Sequence, residues 1–415
     1  MKFRSRKLTV CRVCNERSFF SYLNLGSHPP SNSFVEKKKI KNLKKFPLNL
    51  VICKKCSLSQ LDTIVSEKDI FSEYMYLSSS STALVQHYKK MTTEILNRFK
   101  PLIKSLIIDI GCNDGITLLN YNKSKYRVLG VEPSSVAKIA KSKKIDVINS
   151  FFDFDVSKNI KKNFGYASII TATNVFAHID DIQNFVSGIA NILERKNGVF
   201  VIEFPYVLDM IKNLYFDTIY HEHLSYLSIT PLVYLFKKFN MKIFDIIKTE
   251  VGASGPSLRI YVCYSNSRHV QKKIVGNYLK NEKNFKKNNY EKYKLFSKKV
   301  FLIKKKIKLI ILNLKKNNKI VGAFGAPAKG NTLLNYLKLS SKDIKFVCEN
   351  NKLKIGKFTP GSNIEIVSDR VFISSGIKFA LLLSWNYLDF FKKNSEFIKN
   401  GGRFIVPFPN PKILQ

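Results

Sequence analysis

Five side chains that can move a proton or hold a hydrogen bond fall within seven positions of this chain: Tyr220, His221, Glu222, His223 and Tyr226. The whole sequence has 6 histidines, so two here is a concentration. Histidine titrates near neutrality, which suits the group to general acid–base work. The spacing is His-Glu-His, not the His-Glu-x-x-His of zinc proteases, so the pair does not read as a metal site. His221 has a simpler reading as a structural histidine donating to a backbone carbonyl, and Tyr226 as packing.

The chain upstream supplies a cofactor loop for such a group. An apolar strand, Ser105 to Ile110, runs into Gly111-Cys112-Asn113-Asp114-Gly115, and a helix starts near Ile116. Two glycines at a helix N-terminus permit a tight turn and close ligand approach. The next strand, Tyr126 to Val131, ends in Glu132, where a carboxylate can take both hydroxyls of a ribose. Further strands end at Asn174 and at Glu203-Phe204-Pro205-Tyr206. Strands alternating with helices imply a parallel sheet that binds its ligand at the strand carboxyl ends. The turn reads Asp-x-Gly-x-x-x-Gly from Asp109, which resembles the first motif of class I S-adenosylmethionine-dependent methyltransferases. In that resemblance Asp109, Gly111, Asn113, Gly115, Glu132 and Asn174 are the expected cofactor residues.

Two further regions frame this one. Cys11-Arg12-Val13-Cys14 and Cys53-Lys54-Lys55-Cys56 are two Cys-x-x-Cys knuckles. Each puts two thiolates on a tight turn, and together they complete a four-sulfur structural zinc site with no open position. The loop between them, Leu25 to Asn32, is turn-rich, and His28 reads as a loop residue. Past Phe244 the chain carries Ser257-Leu258-Arg259, a lysine-rich amphipathic stretch from Val270 to Lys315, and a second strand–glycine turn–helix from Ile320 to Thr332. The lysines are most simply a solvated helix face. The second glycine turn is a phosphate-cradling candidate.

With these parts in order, nearly the whole chain resembles the nucleotide-sugar C-methyltransferases that build branched deoxysugars. The shared segments are the cysteine knuckles, Tyr74-Met75-Tyr76 before a serine cluster, the cofactor turn, Asn174-Val175-Phe176-Ala177-His178 and Glu203-Phe204-Pro205-Tyr206. Tyr220-His221-Glu222-His223, Ser257-Leu258-Arg259, Gly325 to Thr332 and Ser384-Trp385-Asn386 complete the set. The chain departs from the family at Gly252 to Pro256, where a His-Gly-Gly-like turn is usual. That difference bears on local loop contacts and on the sugar, not on the reaction type.

The resemblance implies an α/β fold of three parts: an N-terminal zinc-binding module (1–69), a central class I methyltransferase Rossmann-like sheet (70–244), and a C-terminal second Rossmann-like α/β domain (245–415). It implies C-methylation of a nucleotide-linked 4-keto-deoxysugar at C-3. His223 is the expected base, with Glu222, Tyr220, His178 and Tyr76 around the sugar. Lys329, Gly330, Asn331 and Arg259 are expected on the nucleotide diphosphate. Cofactors are S-adenosylmethionine and structural zinc (Zn2+), and the partner is a nucleotide-diphosphate sugar.

Bulk properties bound these readings. A length of 415 residues exceeds one ordinary core and calls for two or three domains. No apolar run reaches the ~18 residues of a membrane span, and no secretory signal is visible, so a cytoplasmic protein without a membrane partner is expected. The formal net charge of +40 is spread along a chain rich in lysine, asparagine and isoleucine throughout. It fits a compositional bias or the steering of a polyanionic small substrate. The alternative is a zinc-containing RNA base methyltransferase, which the charge would suit. RNA methylation needs neither the Tyr-His-Glu-His group nor a second glycine loop, so nucleic acid is disfavoured. The sequence assigns no oligomeric state and is compatible with a monomer.

Overall fold

The computed structural model describes residues 4–71, 77–250, 255–286 and 290–414. In the N-terminal module, strands β1 (Phe19–His28) and β2 (Phe46–Cys53) pair antiparallel, and β3 (Ser59–Leu61) adds to β2. Each cysteine knuckle closes the same way. Asn15 N–H donates to Cys11 O, Ser57 N–H donates to Cys53 O, and Asn15 and Ser57 both take left-handed φ values.

The central module opens with helix α1 (Thr82–Phe99), whose N-terminus is capped by the Ser81 hydroxyl accepting from Leu84 N. Strands β4 (Leu106–Ile110), β5 (Arg127–Val131), β6 (Asp146–Ile148), β7 (Ala167–Thr173) and β8 (Val199–Pro205) follow. Helix α2 (Val207–Asn213), strand β9 (Ser225–Tyr226) and helix α3 (Ile229–Lys237) lead to β10 (Met241–Thr249) and β11 (Ser257–Tyr264). The sheet order is β10-β11-β8-β7-β4-β5-β6. β11 runs antiparallel between β8 and β10, and the pairs from β8 to β6 are parallel. β4, β8 and β11 are buried almost end to end, which is why they are mostly apolar, with Asp109, Glu203 and Arg259 as their buried charged residues.

β9 leaves this sheet. Its Ser225 and Tyr226 pair with Gln60 and Ser59 of β3, so the residues just after the tripeptide complete the N-terminal sheet. The knuckle end of that module is anchored separately: Gln183 Nε2 donates to Arg12 O at 3.0 Å and Lys238 Nζ to Val13 O at 2.7 Å.

The lysine-rich stretch forms two helices, α4 (Lys273–Lys286) and α5 (Glu291–Lys316). α5 buries Tyr293, Phe296, Val300, Ile303, Ile307 and Ile311 at three- and four-residue spacing and turns its lysines outward. Burial of each such side chain contributes about 1.5–3 kcal/mol. α5 packs on β1 and on the C-terminal domain, tying the outer modules together.

That domain is built from β12 (Val321–Phe324), helix α6 (Ala328–Leu337), β13 (Val347–Cys348), β14 (Ile366–Val367), β15 (Phe379–Leu382), β16 (Arg403–Val406) and β17 (Lys412–Ile413). The order is β14-β13-β12-β15-β16-β17, parallel except for the last pair. The fold is therefore α/β, with a zinc-knuckle module ahead of two Rossmann-like sheets. Among the described residues no helix is long and apolar enough to cross a membrane.

Candidate active site

Cys11, Cys14, Cys53 and Cys56 are all buried, and their sulfurs lie within 4.8 Å of one another. Cys11 and Cys56 approach to 3.5 Å, and Cys14 and Cys53 to 3.4 Å. A tetrahedral zinc with Zn–S bonds of about 2.3 Å needs sulfur–sulfur edges of roughly 3.8 Å, so the quartet fits the ion. All four positions are protein, which makes the site structural.

At the carboxyl ends of the central sheet, Gly111 sits at φ +68, and a Cβ there would collide with Val175. Glu132, at the end of β5, is buried. Its Oε2 accepts from Asn113 N and its Oε1 from Ser134 N, both at 2.9 Å. Two backbone donors hold the carboxylate in place and leave lone pairs for a diol. Asn174, at the end of β7, adopts φ 57, and its buried Nδ2 has no partner. An orphaned amide donor and a backbone-held carboxylate flanking a glycine turn fit the adenosine and amino-acid parts of S-adenosylmethionine. Asp109 takes a different place. It is buried in β4, accepts from Thr171 Oγ1 at 2.5 Å, and burial lifts its carboxyl to about 7. It braces the turn from within the sheet.

The proton-transfer group follows a turn at Phe216–Thr218. His223 Nδ1 is 2.9 Å from Thr218 O, and its Nε2 is 2.9 Å from Tyr220 Oη. A carbonyl can only accept, so Nδ1 carries the hydrogen and Nε2 presents its lone pair to the Tyr220 hydroxyl. Burial pushes His223 down to about 4, which keeps it neutral at working pH. The His178 ring meets His223 edge-to-face with centroids 4.9 Å apart. Burial, then the neighbouring His223, drives His178 down to about 3. Glu222 is buried, and its Oε1 accepts from Asn32 Nδ2 at 2.7 Å. His221 Nε2 faces Phe46 O at 3.1 Å, a structural contact with the N-terminal module. Tyr76, and Gly252 to Ser254 of the variant turn, lie outside the described residues.

The other expected residues divide. Gly330 and Asn331 are in the first turns of α6, against the loop that leads into His221–His223: Thr332 Oγ1 donates to Ile219 O at 3.0 Å and Asn331 Nδ2 to Ser31 O at 2.7 Å. Lys329 is buried over the Trp385 ring, 3.9 Å from its centroid, and donates to Asn386 Oδ1 at 2.6 Å. Trp385 Nε1 in turn donates to Asp217 Oδ2 at 2.6 Å. Burial lowers Lys329 and raises Asp217, and their mutual attraction opposes both shifts. Arg259 is not brought to this group. It is buried in β11, where Nε donates to Glu203 at 3.0 Å and Nη1 to Glu94 at 2.9 Å. His87 completes that network, 2.6 Å from Glu203 Oε1. A cavity of about 630 Å³ lies elsewhere again, lined by Tyr206, Asp209, Tyr278, Phe285 and Lys299 between α2, α4 and α5. The residues missed from sequence are Asn32, Asp217, His87 and Glu203 as partners. Asn32, Asp217 and Glu203 lie in or beside the motifs, whereas His87 carried no signal.

Three family descriptions match successive parts of the chain. Residues 11–71 match a "Putative zinc binding domain", 86–245 a methyltransferase domain, and 252–409 the C-methyltransferase C-terminal domain. The C-methyltransferase NovU of Streptomyces niveus is 29% identical over 412 residues, covering 99% of this chain and 97% of that protein. The order of these three matches and the full-length likeness to a C-methyltransferase support the C-methyltransferase family for this chain. S-adenosylmethionine and zinc are the cofactors of this C-methyltransferase. Solved structures similar to it include an S-adenosylmethionine-dependent methyltransferase from Clostridium acetobutylicum ATCC 824 (15% identity, 43% of this chain and 92% of that chain, TM-score 0.34). Another is magnesium protoporphyrin IX methyltransferase from Synechocystis PCC 6803 with bound SAM (10% identity, 48% and 88%, TM-score 0.32).

Proposed function

We propose that this C-methyltransferase methylates C-3 of a nucleotide-linked 4-keto-deoxysugar. The observation that carries the reading is the Thr218–His223–Tyr220 chain, a neutral imidazole with its tautomer locked and its lone pair committed to a phenol. Carbon becomes a nucleophile only as an enolate, and a 4-keto group acidifies the C–H beside it. A buried neutral base next to a hydroxyl is suited to taking that proton, with Nε2 as the acceptor and the Tyr220 oxygen as relay or as donor to the developing oxyanion. When bound, S-adenosylmethionine supplies the electrophilic methyl group. His178 and Glu222 flank the reacting carbon and exclude water. The Gly325 turn, Gly330 and Asn331, with Lys329 behind them, are the proposed grip on the nucleotide diphosphate. Arg259 stays with its carboxylates and supports the sheet. Tyr76 remains part of the proposal as a sugar contact.

Candidate nucleotide-linked 4-keto sugars incubated with the enzyme in deuterated water test this. Deuterium is expected at C-3, and His223→Asn abolishes the exchange while leaving S-adenosylmethionine affinity at the wild-type value. Methyl transfer to RNA, with no exchange into any keto sugar, overturns the reading.

A further inference from the structure

Glu222 alone in the tripeptide has partners in both other modules, a hydrogen bond from Asn32 and the charge of Lys354, whereas His221 reaches only Phe46 O and His223 bonds within its own loop. Oε1 accepts from Asn32 of the N-terminal module, 190 residues away in sequence. Oε2 accepts no hydrogen bond from the described residues. The loop that carries Asn32 is fastened on both sides. Asn331 Nδ2 donates to Ser31 O, Ser31 Oγ lies 3.4 Å from Thr332 Oγ1, and Val35 and Phe358 exchange backbone hydrogen bonds. Phe34, two residues on, lies under the Lys354 ammonium, 4.8 Å from the ring centroid. Lys354 Nζ also donates to Ala326 O at 2.8 Å, beside the Gly325 turn, and is coupled electrostatically to Glu349 and Glu222.

We propose that Asn32 is a positioning residue of the catalytic centre, holding Glu222 Oε1 so that Oε2 faces the sugar as a carboxylate, with Lys354 as the counter-charge. This rests on the sugar-methylation reading above. A carboxylate held at one oxygen has its other oxygen free to accept from a sugar hydroxyl. An amide N–H and a cation both favour the charged form. Burial acts the other way and raises Glu222 to about 7, while Asn32 and Lys354 hold it down. The other titratable groups next to it are His178, which bonds to the Glu222 backbone, and Glu349, which shares Lys354; its loop neighbours His221 and His223 turn to Phe46 O and to Tyr220 and Thr218. The N-terminal module presents an uncharged side chain here. Glu222 therefore has its working geometry only where all three modules meet.

The test reads Glu222 directly. Glutamate is labelled with ¹³C at the side-chain carboxyl, the Glu222 resonance is assigned by Glu222→Gln, and its titration is followed without any sugar present. Asn32→Ala is expected to raise the midpoint by about one pH unit, and the acidic limb of kcat/KM moves up with it. Lys354→Met shifts it in the same direction and Lys354→Arg returns it. Zinc content and S-adenosylmethionine affinity in each variant certify the fold. An unmoved Glu222 midpoint in Asn32→Ala, or a loss of kcat/KM equal at every pH, overturns the proposal. Absence of solvent exchange in the wild type sinks the sugar reading instead, and the carboxyl titration distinguishes the two failures.

Discussion

The two Rossmann-like sheets carry the same backbone device and use it differently. In each, a strand runs into a glycine with positive φ, Gly111 at +68 and Gly325 at +82. The glycine N–H donates to the last residue of the neighbouring strand, Val131 O at 2.7 Å and Cys348 O at 2.9 Å. An acid follows that neighbour, and backbone N–H groups hold it: Asn113 and Ser134 on Glu132; Ala326, Asn350 and Asn351 on Glu349. Around Glu132 the structure leaves an orphaned amide, Asn174, for a ligand to satisfy. Around Gly325 the chain fills the space itself. Lys354 takes Ala326 O, Ser384 packs against the glycine, and α6 is buried against the loop before His221. The same turn therefore leaves a cradle proposed for the cofactor in one sheet. In the other it makes the wall of the site proposed for the nucleotide sugar.

The largest expected effect comes from the glycines. Gly111→Val sets a side chain into Val175 and a strained φ, and isothermal calorimetry should detect no S-adenosylmethionine binding. Gly325→Val meets Ser384 and should keep cofactor binding while losing solvent exchange. Loss of cofactor binding in both variants would show that the two turns are not independent. Next in size is Lys329→Ala. It strands Asp217 buried beside Trp385, a cost of about 3 kcal/mol seen as a lower Tm, and it raises the KM for the nucleotide sugar well above any change in cofactor affinity. An unchanged KM removes Lys329 from the grip. Smallest is the exchange of acids. Glu132→Ala should weaken S-adenosylmethionine by about 10–100-fold, the worth of hydrogen bonds to a charged group. Glu349→Ala should leave that Kd alone and change only the sugar KM. Equal effects on the cofactor would erase the contrast between the sheets.

Much of this was legible in sequence because the signals are local. A Cys-x-x-Cys turn points two thiolates at one centre whatever surrounds it, and a strand running into Gly-x-x-x-Gly requires a tight turn. The buried stripe of α5 follows from residue spacing in the same way. Partnership was not legible. Arg259 was expected on the nucleotide, yet two carboxylates from α1 and β8 enclose it. Lys329 was expected on a phosphate, and its nearest groups are Asn386 and the Trp385 ring. The loop holding His28 and Asn32 read only as turn-rich, although it bridges two other modules.

The sequence by itself determined which groups are present: four thiolates spaced for zinc, a glycine turn followed by an acid, and a tyrosine, two histidines and a glutamate whose types are those proposed for proton transfer. Residue type and short spacing set these, and they survive any packing. Tertiary structure alone decided which of these groups act together. It locked the His223 tautomer through Thr218 O, separated His221 from the group by giving it Phe46 O, and brought Asn32 and Lys354 to Glu222. Those outcomes depend on long-range hydrogen bonds and on burial, which shift protonation and fix orientation only once all three modules have docked.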